Sequence, residues 1–291
     1  MQVGRGVLRR ALLLAALAGL LPLAAHAADT ALVTIVEGTA PVVIDGARSL
    51  AAVPGMKLGA AALIDTAAGT SLVRVEFADG STLDLGPDSH VMLLPPGLAG
   101  SGPKAPAFYL LQGWAKHSVA GKTSGGGQLS PQLELTQVAG VTVGRVAGED
   151  AMLFVESGKV QLLERKLKGA PPLGVKAGEM YARSGAEKGS IAPRPSAAFL
   201  QGLPRSFRDT LPPLAAHFKG KTVEAKPAPM PGYAALKPWL TAEPAIRREF
   251  PRRFATLAHD ATFREALVKN VASHPEWEPI LFPKPASGAS R

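Results

Sequence analysis

The stretch Leu72–Leu85, LVRVEFADGSTLDL, decides the fold class. Val73, Val75 and Phe77 alternate with Arg74 and Glu76, which sets the apolar side chains on one face of an extended strand. Asp79-Gly80 follows, a dipeptide that takes the positive backbone angles of a tight turn at low cost. Leu83 and Leu85 resume the alternation around Thr82 and Asp84, so the stretch predicts a β-hairpin. Its polar residues, Glu76 and Asp84 among them, are expected on a solvated face.

Outward from the hairpin the same texture continues. Val33, Ile35, Val42 and Ile44 lie in short β-branched runs broken by Gly38 and Asp45-Gly46. The stretch from Pro95 to Pro106 reads as a connector, and a second β block runs from Phe108 to about Ile191. In that block Val141 and Val143 form one run. Leu153 and Val155 lead to a turn at Glu156-Ser157-Gly158-Lys159, with Val160 and Leu162 beyond it. Gly121 to Gly127 reads as a flexible loop. After Pro193 the character changes: Ser196 to Leu211 has room for a short helix, and Pro227, Pro229 and Pro231 mark a semi-extended connector.

From Tyr233 to Phe282 the pattern is helical. Ile246, Phe250, Phe254 and Leu257 recur three and four apart, with Pro251 expected to break the run. Asp260 is a predicted N-cap for a helix burying Phe263, Leu267 and Val271, which ends at His274-Pro275. Trp239 and Trp277 read as packing anchors. The predicted fold is thus mainly β. A short-stranded, largely antiparallel domain over 28–192, sandwich- or solenoid-like, precedes a Pro-rich connector over 193–232, a small helical module over 233–283 and a tail over 284–291. With 31 Gly, 26 Pro and only 5 % aromatics, its core must rest on Val, Leu and Ala.

The first 27 residues read as a cleavable export leader. Arg5, Arg9 and Arg10 form a positive start, and Ala11–Ala24 is an apolar run shorter than the roughly 20 residues of a membrane span. Ala25-His26-Ala27 supplies small residues for cleavage after Ala27, and the expected location is the periplasm of a Gram-negative cell, with no membrane span left after cleavage. The chain has no Cys, which removes thiol catalysis, thiolate metal sites and disulfides. Of the net charge of +9 the leader carries three, leaving +6 on a mature chain without a basic run interleaved with aromatics, so nucleic acid is not an expected partner.

In this order the motifs resemble the FecR-type periplasmic domain. The residues that carry the likeness are Gly55 to Gly59, Leu63-Ile64-Asp65-Thr66, and Val73 to Phe77 with Asp79-Gly80-Ser81. Phe154 to Val160 and Val175-Lys176-Ala177-Gly178-Glu179 complete it, so that it covers about residues 31 to 192. One departure is Gly144-Arg145-Val146, where that family usually shows Arg-Gly-Thr. The best-known members relay a signal from an outer-membrane receptor to a sigma factor through a cytoplasmic segment and a membrane span. Here Leu32 begins the β pattern almost directly after the leader, so the resemblance implies a stand-alone exported member without that relay.

Constellations for chemistry are weak. Asp88-Ser89-His90 holds three triad residue types side by side, but a triad is assembled in space, and a turn after the hairpin is the better reading. Gly121-Lys122-Thr123 lacks the upstream glycine spacing of a phosphate loop. His90, His117, His217, His259 and His274 are scattered, with no pair at metal-ligand spacing. No catalytic residue, metal or cofactor is therefore expected. Arg247, Arg248, Arg252 and Arg253, opposite the apolar stripe, are the candidate contacts for an anionic partner. The reading is a non-catalytic envelope protein binding another envelope protein or a cell-wall polymer. The alternatives are a periplasmic signalling component acting on a receptor or anti-sigma regulator, and a cell-wall hydrolase.

Overall fold

The computed structural model describes residues 31–95, 98, 105–121 and 127–283. The expected leader, the Lys122-Thr123 loop and the tail from 284 lie outside them. The fold is mainly β with short helices at the C-terminal end, as the sequence predicts. The strands in chain order are β1 (Ala31–Gly38), β2 (Val42–Asp45), β3 (Arg48–Ala51), β4 (Lys57–Leu58), β5 (Leu63–Asp65), β6 (Thr70–Phe77), β7 (Thr82–Leu85) and β8 (His90–Leu93). They continue with β9 (Pro106–Ser118), β10 (Gly127–Leu129), β11 (Leu133–Leu135), β12 (Ala139–Ala147), β13 (Asp150–Glu164), β14 (Leu173–Lys176), β15 (Met180–Arg183), β16 (Ser190–Ala192) and β17 (Lys226–Pro227). The predicted hairpin is β6–β7, with Val73 opposite Leu85, Val75 opposite Leu83, and Gly80 at φ +82.

Two long strands fold this network into two layers. The first half of β9 pairs with β8 and, in parallel, β10; its second half pairs with β7 and β12. The bend falls at Gly113, φ +93, where a Cβ would stand 2.4 Å from the Cα of Ser89, so only glycine fits. Strand β13 repeats the device: its first part pairs with β12 and β15, its last part with β11 and β14. Gly158 lies at its bend, opposite Gly140, and both have positive φ. The turn predicted at Glu156–Lys159 is therefore a bend inside one continuous strand, because glycine permits the corner while the ladder to β12 runs on through it. One layer orders as β3-β2-β5-β8-β9-β10-β11-β13-β14 and the other as β4-β1-β6-β7-β9-β12-β13-β15-β16.

Inward side chains of both layers form the core. Val33, Val43, Ile64, Val75, Leu83, Val91 and Leu110 fill one half, and Leu133, Leu153, Val155, Val160, Leu162 and Val175 the other. Each such burial contributes about 1.5–3 kcal/mol.

The outer faces are covered as well, by the chain after residue 192. Phe199 of α1 (Ala197–Gly202) and Phe207 pack on Leu72, Trp114 and Val143. Ser196 caps α1, accepting from the Phe199 N–H. The solvated face expected for the hairpin is corrected here: Arg74, Glu76 and Asp84 are 3 %, 4 % and 2 % exposed. Residues 205–215 lie over them. Arg74 donates to the Leu211 carbonyl, and Glu76 accepts from the N–H groups of Leu214 and Ala215. The segment read as a connector is thus docked on the sheet, and β17 pairs with β3.

The opposite face carries the helices α2 (Tyr233–Leu240), α3 (Pro244–Arg247), α4 (Phe250–Arg253), α5 (Ala261–Lys269) and α6 (Glu278–Leu281). The predicted stripe is real: Ile246, Phe250 and Phe254 join Trp239 and Trp277 against Ile44, Leu63, Met92 and Tyr109. Pro251 stands in the first turn of α4, and the helical run breaks before it. Asp260 caps α5 by accepting from the Phe263 N–H at 2.8 Å, and that helix ends at Lys269, before Val271.

Candidate functional site

The four candidate arginines do not form one surface. Arg253 turns inward and donates to the carbonyls of Ile44 (2.5 Å), Gly46 (2.8 Å) and Ala61 (2.8 Å), which clamps α4 to the β-domain. Burial pushes its guanidinium down to about 10, against the pull of Asp45 and Asp65. Ala61 itself has φ +62, a strained angle for a residue with a Cβ. Arg247 pairs with Glu276 at 3.1 Å and donates to the Ser273 carbonyl. Arg248 and Arg252 remain exposed, the latter beside Glu249 at 3.0 Å.

Asp88-Ser89-His90 is a structural corner, as expected. Ser89 is fully buried; its hydroxyl accepts from the Trp114 N–H and donates to the Gly86 carbonyl, pinning the bend of β9. His90 Nδ1 lies 2.7 Å from Asp65 Oδ1, and Trp239 Nε1 donates to the same carboxylate at 2.9 Å. Asp65, the partner of His90, thus also helps dock α2 through Trp239. Among the described residues no group of three or more His, Asp or Glu is placed to hold a metal.

A cleft of about 710 Å³ opens where the helices meet the second half of the sandwich. Leu111 and Gln112 of β9 line it, together with Gln132 and Glu149 from two turns. Arg165 and Lys166, just after β13, Thr241 and Glu243 between α2 and α3, and Arg247 of α3 complete the lining. Three prolines, Pro131, Pro238 and Pro244, stiffen the walls.

Arg165 organises the cleft. Its Nη1 and Nη2 meet the two oxygens of Glu243 at 2.6 and 2.8 Å, and Nη1 also donates to the Ser130 carbonyl at 2.6 Å. Burial works against its charge, but hydrogen bonding and attraction from Glu243 outweigh that, so its guanidinium is held above the usual value. Below it the fully buried Tyr109 has its hydroxyl pushed up by burial, with Glu243 adding to the effect. Gln132 is 1 % exposed; its Nε2 donates to the Gly148 carbonyl at 2.5 Å, while its Oε1 has no partner among the described residues. Lys166, Gln112, Glu149 and Thr241 are exposed. The arrangement offers fixed donors and acceptors around a paired charge, which suits holding a polar ligand. Sequence reasoning found Arg247 alone of these residues, since the others come from five separate segments with no shared motif.

No family model matches the chain, and no curated protein matches it. Among solved structures, two crystal structures described as a candidate anti-sigma factor from Parabacteroides distasonis are similar, each at 15 % identity, with TM-scores of 0.38 and 0.37. The match covers 48 % of this chain and 64 % and 65 % of theirs, so this chain spans less than two thirds of their length. Similarity at this level carries no functional weight.

Proposed function

We propose that this is an exported, non-catalytic interaction protein of the cell envelope, with a FecR-like β-domain, that holds its partner in the cleft organised by Arg165. The observation that carries the reading is the cleft itself. Its charges at Arg165 and Glu243 neutralise each other, while buried and exposed amides and hydroxyls surround them. The His90–Asp65 pair serves packing, since Asp65 also accepts from Trp239 Nε1 of α2. Export is supported by the leader-like Arg5, Arg9 and Arg10, the apolar run and Ala25-His26-Ala27. Among the described residues no helix is long and apolar enough to cross a membrane.

Cell fractionation with N-terminal sequencing tests the export half: a periplasmic chain beginning at Ala28 is expected, and a cytoplasmic chain with Met1 retained overturns it. Crosslinking in intact cells tests the binding half. A discrete captured partner is expected, and a receptor or membrane anti-sigma protein in the adduct selects the narrower signalling reading. Release of sugar or peptide fragments from purified sacculi, abolished by one carboxylate substitution, overturns the non-catalytic reading.

A further inference from the structure

We infer that a second hollow, where α4 meets two turns of the β-domain, binds a phosphate monoester group through Arg248 and Arg252, with Arg253 adding its charge. The inference goes beyond the function proposed for the Arg165 cleft and does not depend on it. The hollow has a volume of about 680 Å³, in the range of small-ligand sites. Gly46 and Ala47 between β2 and β3, and Ala60 and Ala61 between β4 and β5, line it together with these three arginines. Three of the four arginines that the sequence singled out thus share one concave site, while Arg247 lines the other.

The charges here do not cancel when their pairs are counted. Among the described residues of the lining Glu249 is the one acid, and it pairs with Arg252 at 3.0 Å. Asp45, close by, lies 3.8 Å from Arg48, and Asp65 is held by His90 and Trp239. Arg248 and Arg253 are left over. Arg248 is exposed and makes no ion pair or hydrogen bond among the described residues, so its five N–H donors face solvent or a ligand. Arg253 spends its donors on the carbonyls of Ile44, Gly46 and Ala61, none of which neutralises it. Even with its pKa lowered to about 10 by burial, it stays charged at neutral pH.

An excess of two positive charges narrows the class of anion. A phosphate monoester carries about −1.5 to −2 at neutral pH and matches it, whereas one carboxylate leaves half of it unmet. The planar guanidinium fork also fits two phosphate oxygens at once. The approach is open: Gly46, Ala47, Ala60, Arg248 and Arg252 are exposed, and a Cβ on Gly46 would meet nothing within 4 Å. Phe250, the aromatic residue of the lining, is only 1 % exposed, so charge and not ring stacking must select the ligand.

The test is calorimetric titration of the purified chain, from Ala28 onward, with glycerol 3-phosphate, and with acetate as the carboxylate probe. Saturable binding of glycerol 3-phosphate that exceeds acetate and weakens with salt is expected. Arg248→Glu should weaken it about tenfold or more, because an attraction becomes a repulsion, and Glu249→Gln should strengthen it severalfold by releasing Arg252. Both positions are exposed, so an unchanged melting temperature will certify the fold of each variant. Cosedimentation with phosphatidylcholine vesicles, plain or doped with phosphatidic acid, identifies the source of the phosphate. Binding to the doped vesicles alone, lost in Arg248→Glu, assigns it to a lipid headgroup; titration with glycerol 3-phosphate and no vesicle binding assigns it to a soluble ester. Failure of both phosphate probes, equal binding of acetate, or binding unchanged in Arg248→Glu overturns the inference.

Discussion

Arg74 and Asp84 form a two-point ion pair at 2.6 and 2.7 Å across the β6–β7 hairpin, with only 4 % and 3 % of their side chains exposed. Arg74 then reaches past the sheet to the Leu211 carbonyl at 2.8 Å. The pair is thus the anchor between the hairpin and the segment that covers it. Lys116 acts alike, donating to the Phe207 carbonyl and pairing with Glu156 at 3.0 Å.

Removing one member of a buried pair strands the other charge. Asp84→Ala should destabilise the protein by about 3–5 kcal/mol, while the double variant Arg74→Met, Asp84→Leu should recover much of that loss. Chemical denaturation of the three proteins checks it. A loss below about 1 kcal/mol for Asp84→Ala would place the pair in solvent instead.

His117 is fully buried, and burial pushes its imidazole down to about 4, with a weaker opposing pull from Asp79. The folded state holds the ring neutral, while the unfolded chain takes up a proton near pH 6.5. Stability is therefore complete above that pH and falls as pH drops from about 6.5 towards 4, by up to about 3 kcal/mol. His117→Leu should flatten this part of the stability curve. Urea midpoints measured between pH 4 and 8 decide it, and an unchanged acid limb in the variant would show that other groups set the loss.

Gly113 and Gly46 both have positive φ, but a Cβ at Gly113 meets the Ser89 backbone at 2.4 Å, whereas at Gly46 nothing lies within 4 Å. Gly46→Ala should cost about 1 kcal/mol, the price of the backbone angle alone. Gly113→Ala should cost clearly more, because the bend of β9 must open as well. Thermal melts of the two variants provide the comparison, and equal losses would mean the corner is not sterically fixed.

The divided arginines make a further contrast. Arg253→Met leaves the carbonyls of Ile44, Gly46 and Ala61 without their donor and should cost about 2–3 kcal/mol. Arg252→Ala, at 88 % side-chain exposure, should stay within about 0.5 kcal/mol. Equal effects in denaturation would refute the clamp.

Period-two alternation made the hairpin legible, and local caps and breakers did the same for Asp260 and Pro251. Alternation says which side chains share a face, but not whether a later segment covers the second face. Arg74 and Glu76 therefore read as solvated, although residues 205–215 bury them. The prolines after 193 signalled a connector because they lack N–H donors, yet their carbonyls still accept: Ser49 donates to Pro229, and Pro212 lies within reach of Arg74. The cleft was illegible for another reason. Gln132, Arg165 and Glu243 converge only when β13 bends and the helices dock, and no local pattern encodes that.

The most direct measurement places a photo-crosslinking amino acid at Thr241, on the cleft rim, and in parallel at Arg252, outside it, in the exported protein inside living cells. A discrete adduct from position 241, absent from 252, is the predicted result. Adducts from 252 but none from 241 would contradict the assignment of the Arg165 cleft as the place where this protein meets its partner.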